Sequence, residues 1–106
     1  MKKIYIAGKI TGDKNYYKKF LSEEDRLYDL GYEPVNPAAI IEPNIIWPEA
    51  MKITIRKMLL CDGVSLLPDW KKSRGAKIEA RLARELGMDV RPSEQWQKLQ
   101  EASCSN

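Results

Sequence analysis

The sequence predicts an α/β fold: a three-layer Rossmann- or flavodoxin-like sandwich around a small parallel sheet of four, or five, strands in the order 2-1-3-4. Three observations predict it. Short apolar runs alternate with longer segments of helical apolar spacing, in the order β-α-β-α-β-α-β-α. Two of the helical segments stop at a glycine, Gly31 and Gly87, just before the next apolar run. Two polar, glycine-bearing loops, Gly8 to Gly12 and Pro68 to Gly75, each leave the end of an apolar run and lead into a helix. At 106 residues the chain is long enough for one domain with a core, placed at 1–101, with 102–106 expected to fray.

In chain order, Ile4 to Ala7 carries a β-branched and aromatic bias and reads as a buried first strand. Gly8 and Lys9 break the apolar stretch too early for a signal peptide. A helix is expected from about Lys14 to Leu30, with Tyr17, Phe20, Leu21, Leu27 and Tyr28 on its inner face. Tyr32 to Val35 is a second strand, at an edge because Pro34 has no N–H to donate. Asn36 to Pro48, with three prolines, reads mostly as loop, and Pro48 suits the first turn of a helix running through Glu49 to Cys61. Met51, Ile55, Met58 and Leu59 mark that helix's stripe. Asp62-Gly63 is a turn, Val64 to Leu67 a strand, Gly75 to Leu86 a helix, and Met88 to Val90 a fourth strand stopped by Pro92. Ser93 is placed to cap a last helix carrying Trp96 and Leu99.

Composition narrows the chemistry. Eighteen Lys+Arg against fifteen Asp+Glu give a formal charge of +3, with the signs interleaved. That fits a small anionic ligand better than a long nucleic acid, which needs a clustered basic stripe. There is no histidine, which excludes Ser-His-Asp and Cys-His catalysis and His-ligated zinc. Acid–base work falls to carboxylates, Lys, Tyr or Cys. Cys61 and Cys104 form no C-x-x-C pair, no metal site or cofactor is expected, and a reducing cytoplasm is the expected compartment. No apolar run approaches the roughly 18 residues of a membrane span.

In an open parallel sheet, ligands bind at the carboxyl ends of the strands, beside the point where strand order reverses. The two loops fall there. Ser73 and the amides around Gly75 open a helix, whose free N–H groups and dipole favour an anion, and Gly75 lets a ligand approach the backbone. Lys9, Lys71, Lys72 and Arg74 can add positive charge. The plain alternative is an ordinary N-cap with solvated lysines. Glu79 lies on the inward side of that helix, as a nucleophile or acid–base group, or simply as a carboxylate complementing the dipole. Thr54 faces inward with Met51 and Met58, or back-bonds to its own helix. Of Tyr5, Trp47 and Trp70, Trp70 beside the Ser73 loop is the preferred stacking platform, Tyr5 and Trp47 suiting the core and a loop underside.

Taken together, these residues resemble the nucleoside 2-deoxyribosyltransferase-like superfamily, most of all its short bacterial and phage members. The marks are Ile4-Tyr5-Ile6-Ala7-Gly8-Lys9-Ile10-Thr11-Gly12, Val35-Asn36-Pro37, Cys61-Asp62-Gly63-Val64, Leu66-Leu67-Pro68-Asp69-Trp70, and Ser73-x-Gly75-Ala76-x-x-Glu79-x-x-x-Ala83. They span residues 1 to about 90. The resemblance implies that Glu79 attacks C1′ of a 2′-deoxyribosyl group, expelling the base, and that a second base or water resolves the covalent intermediate. It implies a ligand pocket drawing on Gly8, Lys9, Ile10, Gly12, Asn36, Asp69, Trp70, Ser73, Arg74 and Gly75. Relatives that hydrolyse deoxynucleoside 5′-monophosphates carry Ser where this chain has Ser73, and those acting on free nucleosides carry Asp. A phosphorylated ligand is therefore implied, as is a homo-oligomer, a dimer or larger. One position departs: active relatives carry Asp where this chain has Thr54. A missing general acid costs roughly 100- to 10,000-fold in rate, with Asp69 or Glu49 as candidate substitutes. The expected function is N-glycosidic cleavage or transfer on a 2′-deoxynucleoside 5′-monophosphate. The alternatives are an impaired nucleotide-binding module, or a domain for protein contacts.

Overall fold

The computed structural model describes residues 2–98. Leu99, Cys104 and the expected frayed tail at 102–106 lie outside them.

Four parallel strands form one sheet: β1 (Lys3–Ala7), β2 (Glu33–Val35), β3 (Gly63–Leu66) and β4 (Asp89–Pro92), in the order β2-β1-β3-β4. The predicted order holds, with four strands among the described residues. Register pairs Tyr5 with Val35 on one side and with Val64 on the other. Three α-helices connect the strands: α1 (Tyr16–Asp29), α2 (Trp47–Met58) and α3 (Arg74–Glu85). Both prolines in strands sit at edges, Pro34 in β2 and Pro92 as the last residue of β4, where a missing N–H breaks no interior ladder.

The pleat of β1 divides the core. Ile4 and Ile6 face one side and pack with Phe20 and Leu27 of α1, Tyr32 and Trp96. Tyr5 and Ala7 face the other and pack with Met58 of α2 and Ala76, Ala80 and Ala83 of α3. The alanines bring α3 close to the sheet, which places its polar residue at position 79 among them. Helices α1 and α3 end where expected, each in a Schellman turn. Gly31 N–H bonds Tyr28 C=O and Tyr32 N–H bonds Leu27 C=O; Gly87 and Met88 do the same with Arg84 and Ala83. Both glycines hold positive φ, +100° and +74°.

Four expectations change. The inner face of α1 is Phe20, Glu23 and Leu27, while Tyr17, Leu21 and Tyr28 form a neighbouring, exposed stripe. The charge at Glu23 disguised the true face. On α2, Thr54 and Met58 are buried but Leu59, past the helix end, is exposed. The Asn36 to Pro48 segment contains a 3₁₀ turn, Pro37–Ala39, and α2 begins at Trp47, with proline in its first turn. Ser93 does not cap a helix: Ser93–Gln95 is a single 3₁₀ turn, and Trp96 is extended. Trp96 instead folds back onto the core, edge-on to Tyr32 at 5.4 Å and under the Arg91 guanidinium at 4.5 Å. Tyr32 Oη donates to the Gln97 carbonyl at 2.9 Å. Burying these rings outweighs one turn of helix.

Candidate functional site

Strands β1 and β3 are adjacent and parallel, and the chain winds away from them in opposite directions. Their carboxyl ends therefore border a switch point, where the covering helices part. A cleft opens there with about 460 Å³ of empty space, part of it open to solvent. Ile6, Gly8, Ile10 and Thr11 form one wall, and Ser73, Gly75 and Ala76 another. Trp47, Ala50, Met51 and Thr54 of α2 close a third, with Pro37 and Ile41 beside them. Tyr5 and Glu79 make the floor.

The two close glycine contacts explain the walls. A Cβ on Gly75 would lie 2.9 Å from Met51 Sδ, and one on Gly8 would lie 2.6 Å from Leu67 Cδ1. Glycine at these positions leaves room for Met51 of α2 against α3 and for Leu67 against the loop after β1; a larger residue would make those side chains shift. Ser73 caps α3: its Oγ accepts from Ala76 N–H at 3.1 Å. The cap uses one lone pair and leaves the hydroxyl proton free to donate.

Glu79 dominates the floor. It is 5 % exposed, and Tyr5 Oη donates to its Oε2 at 2.6 Å. Burial pushes its carboxyl up to about 7, against the pull of hydrogen bonds from Tyr5 and Thr54. The Thr54 hydroxyl leans on the Met51 carbonyl at 3.3 Å, a long bond for a hydroxyl, so it is free to turn toward the carboxylate. Tyr5 itself is held well above its usual value by burial and by the neighbouring Glu79. Among the residues lining the cleft Glu79 is the one carboxylate, and no Lys or Arg is present. Near neutral pH the group therefore sits between its two charge states, with Oε1 unclaimed by Tyr5.

The structure brings together Gly8, Ile10, Thr54, Ser73, Gly75 and Glu79. The other candidates do not line the cleft. Asp69 is a clamp between loops: its Oδ1 accepts from Lys9 N–H at 3.1 Å and its Oδ2 pairs with Lys19. Lys19 also pairs with Asp13 and donates to the Lys9 carbonyl at 2.8 Å. The backbone of Lys9 is thus held at both N–H and C=O, and Gly12 forms the positive-φ turn of the same loop. Asn36 Oδ1 caps the 3₁₀ turn through Ala38 N–H at 2.9 Å, and its Nδ2 donates to Glu24 at 3.0 Å. It sets Pro37 against the cleft without lining it. The tryptophans exchange roles. Trp70 packs against the β3–α3 core under Lys71 and Arg84, whereas Trp47 lines the cleft. Arg74 stacks its guanidinium 4.2 Å over Trp47, outside the cleft. Glu49 is solvent-facing and pairs with Lys52 at 3.2 Å.

The sequence marked Met51 as part of the α2 stripe and Trp47 as packing beneath a loop, but it did not place them, or Ala50, in the cleft, although a signal existed. They precede Thr54 by seven, four and three residues and so share its helix face. Tyr5 was legible as a buried ring; its hydroxyl needed a partner in the core, and Glu79 is that partner. Cys61 is unpaired, and burial pushes its thiol up to about 11, which makes it a poor nucleophile. No three His, Cys, Asp or Glu side chains gather as a metal site among the described residues. No described helix is long and apolar enough to cross a membrane.

Fold and cleft define the class: a Rossmann-like α/β domain with a cleft at its switch point. Residues 2–91 match the model of a domain of unknown function, DUF4406, and the chain belongs to that family. No curated protein matches the chain.

Proposed function

We propose that the cleft binds a 2′-deoxynucleoside 5′-monophosphate and that Glu79 cleaves or transfers its N-glycosidic bond. The observation that carries this reading is a buried carboxylate with no cation beside it, facing the same cleft as a serine-capped helix N-terminus. The phosphate lies against Ser73 Oγ–H and the first amides of α3, where the helix dipole favours negative charge. The sugar lies over Glu79, and Trp47 offers a face to the base. Ionised Glu79 Oε1 attacks C1′, and the C1′–N bond breaks with its electron pair leaving on the base, which takes a proton from solvent. Water, or a second base, then attacks C1′ and releases Glu79; the proton lost by that nucleophile returns to solvent. Tyr5 holds Oε2 throughout and orients the attacking oxygen.

The same cleft supports a second reading, a nucleotide-binding module with little or no turnover. It is favoured by Thr54 and by the cleft's having no second carboxylate to protonate the leaving base. The candidate substitutes stand elsewhere, Asp69 in its clamp and Glu49 facing solvent.

The test incubates the protein with each of the four deoxynucleoside 5′-monophosphates and measures free base. Release that falls at least ~1,000-fold in Glu79→Ala is expected of a nucleophile. Release equal in the wild type and in Glu79→Ala ends the catalytic reading. Tight binding without release selects the second one, and hydrolysis gained by Thr54→Asp would show that a single proton donor separates the two.

A further inference from the structure

Arg74 and Lys72 stand at the mouth of the cleft without lining it. They line a second, more open hollow with about 710 Å³ of empty space, part of it open to solvent. It adjoins the cleft: Thr11, Trp47, Ser73 and Gly75 border both. The hollow is lined by two cations and no carboxylate. Neither cation has an ion-pair partner among the described residues. The Arg74 guanidinium is exposed, and its carbon lies 4.2 Å from the Trp47 ring centroid, a cation–π contact that restrains it. A guanidinium is a planar fork of donors and suits a phosphate, which it can meet with two parallel hydrogen bonds.

We propose that this annex binds a second phosphate group, so that the preferred ligand of the cleft carries a diphosphate at its 5′ end. The inference rests on the nucleotide reading of the cleft and extends it. One phosphate occupies the Ser73 cap. The next one out, too far to reach the α3 amides, falls between Lys72 and Arg74. The substrate class is then a nucleoside diphosphate, or a nucleotide joined to a further group through a diphosphate, with that group leaving past Trp47. No bond is made or broken in the annex; it selects and orients.

The test is a calorimetric titration of the full chain with a deoxynucleoside monophosphate and the diphosphate of the same base. The diphosphate is expected to bind at least ~10-fold tighter, and the ratio of the two affinities is expected to fall to near one in Arg74→Ala and in Lys72→Ala/Arg74→Ala. Equal affinities, a preference for the monophosphate, or a preference that survives both substitutions overturns the annex. A parallel titration with inorganic pyrophosphate and orthophosphate, followed on the Trp47 indole N–H resonance, keeps the two readings separable. Pyrophosphate shifting that resonance while no nucleotide binds would sink the nucleoside reading and keep the annex. A monophosphate nucleotide that binds with no gain from the second phosphate would do the reverse, and silence toward both pyrophosphate and diphosphate also removes the annex.

Discussion

Two glutamates are buried against opposite faces of the same sheet, and their surroundings differ in one respect. Glu79 is 5 % exposed and Glu23 is 6 % exposed. Each accepts a short hydrogen bond from a strand hydroxyl, Tyr5 Oη at 2.6 Å and Ser65 Oγ at 2.7 Å respectively. Glu23, however, is gripped by Arg26, whose Nε and Nη2 reach its two oxygens at 2.9 Å. That guanidinium also bonds the Ser93 carbonyl, tying α1 to the turn after β4. Glu79 has no such cation. Burial alone therefore does not mark a functional carboxylate. A paired one fastens the fold, and an unpaired one, opening on a cleft, holds its proton toward neutral pH at a cost in stability.

The largest effect expected from this contrast is on stability against pH. Glu79 titrates near 4.5 in the unfolded chain and at about 7 in the folded one. Between those values the unfolded chain has already released the proton that the folded chain keeps, so wild-type stability falls as pH rises across that window. The loss is on the order of 3 kcal/mol once pH exceeds about 7. Glu79→Gln has no such proton, and urea unfolding should show it gaining on the wild type between pH 5 and pH 8. A constant difference between the two proteins would break the contrast from the Glu79 side.

Removing the cation from the other face sharpens it. Arg26→Met leaves Glu23 buried and unpaired, and the half-exposed guanidinium moderates what a fully buried pair would lose; a cost of about 2–3 kcal/mol is expected. The same urea series reads that loss. An Arg26→Met protein as stable as the wild type would make the ion pair incidental. The smallest effect is at the hydroxyl. Ser65→Ala deletes one donor to a carboxylate that keeps Arg26, at about 1 kcal/mol. Because Ser65 lies across the sheet from the cleft, nucleotide affinity should not follow the change in stability.

The fold was legible because local rules and packing agree. Glycine stops, strand prolines at edges and the alternation of element types all point to one parallel sheet. What stayed hidden was mostly a matter of helix faces and long-range partners. The Tyr17, Leu21 and Tyr28 stripe of α1 is more apolar than the buried one that contains Glu23, and only Ser65 and Arg26 make that burial tolerable. At the site, the Ser73 to Glu79 segment was readable because a helix N-terminus carries its chemistry within a few residues. The contacts of Asp69 and Arg74 were not, because nothing local says that Lys19, 50 residues earlier, claims one, or that Trp47 lies under the other. The choice between Trp47 and Trp70 likewise depended on which helix lies over the switch point.

The most direct test of the account is a carboxyl-carbon NMR titration of Glu79 in the folded protein. The midpoint should lie near 7, and Tyr5→Phe, which removes a hydrogen bond that holds the group down, should move it higher. A midpoint near 4.5, or one that drops in Tyr5→Phe, would contradict the claim that Glu79 is an unpaired buried carboxylate poised for chemistry.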